Sequence, residues 1–193
     1  MTFRLGLTGS IGMGKSTTAQ MFRNEGIPVH DADQVVHDLY AGPAAISIEA
    51  AFPGTTCSGV VDRKILASKV VNDPAALARL EDLIHPSVRN AETAFLKQHE
   101  NSGTRLVVLD IPLLFETGAQ DRVDKVLVVT ASSEIQRQRV LERPGMSEDK
   151  FAAMLSRQLP DAKKRARADF VIDTGLGMEN AQKEVRKIIH QLT

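Results

Sequence analysis

Leu7-Thr8-Gly9-Ser10-Ile11-Gly12-Met13-Gly14-Lys15-Ser16-Thr17 is the stretch on which the fold turns. Gly9 and Gly14 bracket four residues and are followed by Lys15 and Ser16, the spacing of a phosphate-binding loop. Glycine lets backbone amides turn toward phosphate oxygens with no Cβ in the way. A helix that opens at residues 14–17 aims its positive end at the anion. Lys15 offers a point charge to the outer phosphates. Ser16 offers a hard oxygen to the Mg²⁺ that bridges them. The apolar run before the loop, residues 3–8, reads as a strand, so the order is strand, loop, helix. That context makes a nucleoside triphosphate the expected ligand. An ordinary glycine-rich turn leaves Lys15 and Ser16 without a reason to stand there.

Working outward, residues 27–30, 105–110, 125–130 and 170–173 are further short apolar or β-branched runs, read as buried parallel strands. Helix-like sequence separates them. Residues 14–24 end at Asn24-Glu25-Gly26, a C-terminal cap. Ser132-Ser133-Glu134 opens a helix ahead of residues 135–142. Residues 178–192 carry Ala181, Val185, Ile188, Ile189 and Leu192 on one helical face. Alternating strands and helices imply an α/β layer fold whose sheet is covered on both sides.

Residues 33–103 contain no convincing strand and read as helical. Asp62 caps a helix through Leu66 and Val70, and Asp73-Pro74 is a cap followed by proline at the first helical position. Leu77, Leu80, Leu83 and Ile84 form an apolar stripe that His85-Pro86 is expected to interrupt. A connection this long is an insertion above the sheet. Residues 143–158 leave the core at Pro144-Gly145 and read as a helical flap.

Length and composition narrow the classes. The 193 residues suit one domain with a small insert. With 42% apolar and 25% charged residues the chain can bury a core, which excludes a disordered tail or a disulfide-stapled miniprotein. Lys plus Arg equals Asp plus Glu at 24 each, which argues against nucleic-acid binding through bulk charge. Trp is absent and Tyr single, so stacking platforms for bases are scarce. Cys57 is alone, which excludes an internal disulfide and a multi-cysteine zinc site. The longest apolar runs, residues 106–109 and 126–129, are far too short to span a bilayer, so neither nucleic acid nor membrane is expected as a partner, and a cytoplasmic location is.

Three reaction classes fit a triphosphate loop: a kinase with a small acceptor, a GTP-dependent switch, and a motor or nucleotide-binding module. Thr130-Ala131-Ser132-Ser133 follows the strand where a guanine-reading Asn-Lys-X-Asp is expected, so the switch lacks its element. A kinase needs an acceptor carboxylate after the second strand and a basic flap. Asp31-Ala32-Asp33 supplies the first: Asp33 either orients an acceptor hydroxyl and takes its proton, or merely caps the next helix. His37, one turn on, reads as a surface histidine. Arg137, Arg139 and Arg143 supply the second. Arg139 and Arg143, four apart, share a helix face that either converges on phosphate oxygens or is simply solvated. Asp110, at the end of its strand, either holds the metal through water or is a turn residue.

Taken in order along the chain, these blocks resemble the dephospho-coenzyme A kinase family. The resemblance is carried by the loop, Asp31-Ala32-Asp33, Asp62-Arg63, His85-Pro86, Pro112-Leu113-Leu114-Phe115-Glu116, Arg139 with Arg143, and Arg165-Ala166-Arg167-Ala168-Asp169-Phe170-Val171-Ile172-Asp173. It implies a P-loop, nucleoside-kinase-like three-layer fold with a parallel five-stranded sheet. Its core would be residues 1–32, 104–140 and 160–193, with a helical acceptor-binding insert at about 33–103 and a lid at about 141–159. It implies phosphoryl transfer from ATP, with Mg²⁺, to the ribose 3′-hydroxyl of dephospho-CoA. Gly9, Ile11, Gly12, Met13, Gly14, Lys15, Ser16, Thr17, Arg139 and Arg143 would hold ATP, and Asp33, Arg63 and His85 the acceptor. Asp33, Lys15 and Arg139 would act in the transfer, and Ser16, with Asp110 through water, would serve the metal. Ser10 and Met13 replace the more usual Gly and Ser, and Thr174-Gly175 stands where Asn often follows the last strand. The alternatives are another small-acceptor kinase of the nucleoside monophosphate type, or a nucleotide-binding regulator with no acceptor.

Overall fold

The computed structural model describes residues 2–71 and 73–193. In chain order the elements are β1 (Phe3–Thr8), α1 (Lys15–Asn24), β2 (Val29–Asp31), α2 (Ala32–Tyr40), α3 (Ala44–Ala51), β3 (Thr56–Cys57), β4 (Val60–Val61), α4 (Arg63–Val70) and α5 (Pro74–Asn101). There follow β5 (Leu106–Asp110), β6 (Lys125–Thr130), α6 (Ser133–Leu141), α7 (Glu148–Ser156), α8 (Asp161–Arg165), β7 (Phe170–Asp173) and α9 (Met178–Leu192).

Residues 1–30 and 99–193 form one compact unit and residues 31–98 another. The first is built on a parallel five-stranded sheet in the order β2-β5-β1-β6-β7. The expected α/β fold is therefore present. Its strands read as unbroken apolar runs because both faces are covered: every residue of β5 is buried. Leu5, Leu7, Val108, Leu127, Val129 and Ile172 pack against Met21 and Phe22 of α1 and Ala181, Val185 and Ile188 of α9. Each large side chain sunk there contributes about 1.5–3 kcal/mol. The second strand is displaced from the expected residues 27–30 to Val29–Asp31.

The second unit has its own core, with Ile48, Phe52, Val61, Leu66, Val70, Leu80 and Ile84 buried together. Asp62 caps α4 by accepting from the N–H groups of Lys64 and Ile65, and Asp73 accepts from those of Ala75 and Ala76 at the start of α5. Two expectations fail here. The segment contains a short antiparallel hairpin, β3 with β4. Ser58 and Gly59 form its turn with φ of 52° and 79°, the left-handed pair that a tight hairpin needs. His85-Pro86 does not interrupt the helix either, since α5 runs through Pro86. Leu80, Ile84 and Val88 continue one packed stripe past the proline, and that burial outweighs the ~3 kcal/mol a helix-interior proline costs. Asp82 and Pro86 are exposed, so solvent can take the carbonyl that loses its donor.

Candidate active site

Parallel strands deliver their following loops to one edge of the sheet. β1 ends at Thr8, β5 at Asp110, β6 at Thr130 and β7 at Asp173; Leu7 lies beside Asp110 and Thr130 beside Asp173. The Gly9–Ser16 loop, Asp110 and Thr174 are thereby gathered at that edge.

Gly12 and Gly14 have φ of 78° and 89°. A Cβ would stand 2.6 Å from Val140 Cγ2 at Gly12 and 2.9 Å from Thr174 Oγ1 at Gly14. Only glycine meets both demands. The Met13 side chain turns into the core, where its Sδ accepts from the Ala131 N–H at 3.0 Å. α1 begins with no side-chain cap and no acidic residue in its first turn. By contrast Asp31, Asp62, Ser132 and Ser147 cap α2, α4, α6 and α7. The positive end of α1 is left for an external anion. Lys15 Nζ lies 2.6 Å from Asp110 Oδ1, the carboxylate being 2% exposed and the lysine 15%. Ser16 and Thr17 are exposed.

Beside the loop lies a cavity of about 280 Å³, walled among others by Gly12, Gly14, Arg139, Arg143, Thr174 and Gly177. Both arginines line this cavity, although α6 ends at Leu141 and Arg143 lies past it rather than on a shared helix face. Arg139 donates through Nη1 to Thr174 Oγ1 at 2.8 Å and through Nη2 to Thr174 O at 3.0 Å. The Thr174 hydroxyl also lies 2.9 Å from Met13 O and 3.1 Å from Thr130 O, so it joins the loop, β6 and the arginine. Arg137 instead pairs with Glu148 of α7.

Ile11 is held on both sides. Its N–H donates to Gln158 Oε1 at 3.1 Å, and its carbonyl accepts from Gln136 Nε2 at 2.7 Å. Next to Gln158, the Leu159 N–H donates to Glu116 Oε1 at 2.7 Å. Lys164, fully buried, pairs with the same oxygen at 2.9 Å. Burial pushes the Glu116 carboxyl up, but the Lys164 ammonium and the Leu159 N–H outweigh it and hold the group below the usual carboxylate range. Sequence reasoning missed Gln136, Gln158 and Lys164. Lys164 sits in the basic run Lys163-Lys164-Arg165, which reads as a solvated face, and no spacing marks the two glutamines.

In the unit of residues 31–98, Asp31 takes the capping role that was one reading of Asp33: it accepts from the Gln34 N–H at 3.1 Å. Asp33 stands in the first turn of α2 with its side chain exposed. Arg63, first residue of α4, lies 5.9 Å over the Tyr40 ring. Burial raises the Tyr40 phenol, and the Arg63 charge opposes that shift. His85 on α5 and His37 on α2 are exposed.

Among the described residues no group of three or more His, Cys, Asp or Glu could hold a metal, and no helix is long and apolar enough to cross a membrane. Hard oxygen donors at the loop edge include the Ser16 hydroxyl and the Asp110 carboxylate.

The sequence profile of the dephospho-CoA kinase family matches residues 3–180. The chain is 62% identical to the dephospho-CoA kinase of Mesorhizobium japonicum over 97% of its length and 95% of the relative's. It is 56% identical to that of Agrobacterium fabrum over 100% and 99%. A crystal structure of a Thermus thermophilus protein superimposes with a TM-score of 0.87 at 34% identity, covering 100% of this chain and 98% of that one.

Proposed function

The chain belongs to the dephospho-CoA kinase family, which uses ATP to phosphorylate dephospho-CoA to CoA, and we propose that it does so with the loop of residues 9–17 on the donor side and Asp33 on the acceptor side. The observation that carries the assignment is the uncapped start of α1, flanked by Lys15. It is a positive helix end with no carboxylate of its own in the first turn, and it follows a glycine loop that no side chain can fill.

On this reading the amides of Gly12, Gly14, Lys15, Ser16 and Thr17 cradle the triphosphate tail. Lys15 exchanges part of its hold on Asp110 for the outer phosphates. The cavity beside Gly12 and Thr174 takes the adenosine end, with Arg139 fixed by Thr174 as one wall and Arg143 reaching the phosphates. Asp33, relieved of capping by Asp31, orients the ribose 3′-hydroxyl and accepts its proton as the oxygen attacks the terminal phosphorus. Arg63 and His85 belong to the acceptor side, within the helical segment of residues 33–103. Residues 141–159 form a lid that excludes water, which would otherwise receive the phosphoryl group.

Mg²⁺ is the metal we assign. Ser16 and, through water, Asp110 would hold it: a pair of hard oxygens suits an ion that keeps several waters and takes its other ligands from phosphates. It would neutralise phosphate charge. A cytoplasmic location follows from the need for ATP.

The test is to incubate the protein with ATP, Mg²⁺ and dephospho-CoA, AMP or no acceptor, and to follow ADP and CoA. ADP and CoA forming together only with dephospho-CoA is expected. Equal ADP release in all three mixtures refutes the acceptor assignment.

A further inference from the structure

The tip of the phosphate loop is fixed by side chains that the transfer itself does not use. The N–H and the carbonyl of Ile11 belong to two successive peptide planes, Ser10–Ile11 and Ile11–Gly12. Gln158 holds the first and Gln136 the second. These are the planes just ahead of Gly12, whose left-handed φ is a conformation that favours glycine. Gln136 is 6% exposed and lies within α6, a rigid mount. Gln158 lies past the end of α7, and a residue on an irregular segment needs its own anchor.

That anchor is Glu116. It accepts from the Leu159 N–H and forms an ion pair with the fully buried Lys164 ammonium, so the chain leaving the flap is tied down at the residue after Gln158 and again on α8. With the ammonium fully buried and the carboxylate partly so, removing one member is strongly disruptive, which makes the anchor stiff.

We propose that Gln158 is a positioning residue for the reaction: seated by the Glu116–Lys164 pair, its amide oxygen fixes the Ser10–Ile11 peptide and so sets the loop against the terminal phosphate of ATP. This rests on the reading that the loop carries the phosphates. Gln158 also closes the segment of residues 143–158, so a change in the flap can reach the loop through this side chain. Gln158 acts through Ile11 and makes no bond to substrate.

The test uses the full chain and Gln158→Met, a side chain of equal length that replaces the amide oxygen by a weak thioether acceptor one atom closer to the backbone. Without nucleotide, the Ile11 N–H exchanges at least about tenfold faster than in the wild type, while Val128 in the sheet is unchanged. With ATP, Mg²⁺ and dephospho-CoA, kcat falls about 10–100-fold, the scale of a misplaced reacting group, and KM for dephospho-CoA stays within about twofold. Gln158→Glu keeps an acceptor and restores protection at Ile11. Gln158→Ala serves if the methionine variant does not fold. Unchanged exchange at Ile11, a kcat within about twofold of wild type, or faster exchange throughout the sheet overturns the proposal. A wild-type chain that turns over no dephospho-CoA instead removes the kinase reading, and the exchange comparison still decides the role of Gln158.

Discussion

Replacing Lys15 separates two roles that one atom plays. Its ammonium lies 2.6 Å from Asp110, a carboxylate almost out of water. At that distance and an effective dielectric constant of about 20 the gross attraction is roughly 6 kcal/mol. Most of it offsets desolvation, so the pair adds little net stability. Taking away only the lysine is different, because an acid is left buried without its cation, at a cost of about 3–5 kcal/mol. Asp110 keeps other contacts, so the lower figure applies. For a chain of this size about 3 kcal/mol lowers Tm by roughly 6–12 °C. Lys15→Met is therefore expected to lose stability on that scale and to lose at least about 10² in kcat, the usual worth of one charge-stabilising contact in the transition state. Lys15→Met with Asp110→Asn should regain most of the Tm and none of the turnover. Calorimetry and an ADP-coupled assay on the three proteins give the answer. If the double variant regains activity along with stability, or Lys15→Met keeps a wild-type Tm and turnover within about threefold, the assignment of Lys15 to both jobs is wrong.

The acids of residues 31 and 33 should part in the same way. Asp33→Asn is expected to cut kcat by about 10²–10⁴ with the Kd for ATP unchanged, while Asp31→Ala costs about 1 kcal/mol of stability as a lost helix cap and leaves kcat near wild type; calorimetric ATP titration and thermal melts distinguish them. Thr174→Val keeps the shape but removes the hydroxyl that Arg139 donates to, and the KM for ATP should rise about tenfold, in line with a lost hydrogen bond to a charged group. Glu116 titrates below its ordinary 4.5 in the folded chain, so its contribution is complete above about pH 4.5 and is lost as the pH falls through the lower folded value. Melts from pH 6 to pH 3 should therefore show a steeper acid decline for the wild type than for Glu116→Gln, and parallel curves would remove the residue from the acid transition.

What the sequence made legible was whatever is enforced by neighbours in the chain. The loop is readable because its glycines, lysine and first helical turn constrain one another within eight positions. The strands are readable because burial on both faces leaves only apolar runs. The caps at Asp62, Asp73 and Ser132 are readable because a cap acts within three residues. The misreadings came where distant packing overruled a local rule. Pro86 locally argues for a break, yet Leu80, Ile84 and Val88 hold the helix to its core. The β3–β4 hairpin was legible in part: Ser58-Gly59 between Thr56-Cys57 and Val60-Val61 is a turn signal between β-formers, overlooked inside a helical segment.

The site divides along the same line. The loop glycines, Lys15 and Ser16, proposed to meet phosphate, sit where the chain itself bends, so they fall in one consecutive block and betray themselves. Residues that hold that block in shape are recruited from wherever the fold brings them, 125 and 147 positions away for Gln136 and Gln158. Such residues need only reach and the right atom, which an ordinary glutamine supplies, so no spacing singles them out. Lys164 shows the converse: the same residue type as its neighbour Lys163, it is fully buried because Glu116 waits for it. Its buried charge is matched by a partner 48 residues upstream, in the segment after β5. Two aspartates two residues apart give the last step. Asp31 caps α2, and a helix needs only one such cap; Asp33 beside it is exposed in the first turn and is not used as the cap, which is compatible with the acceptor role proposed for it.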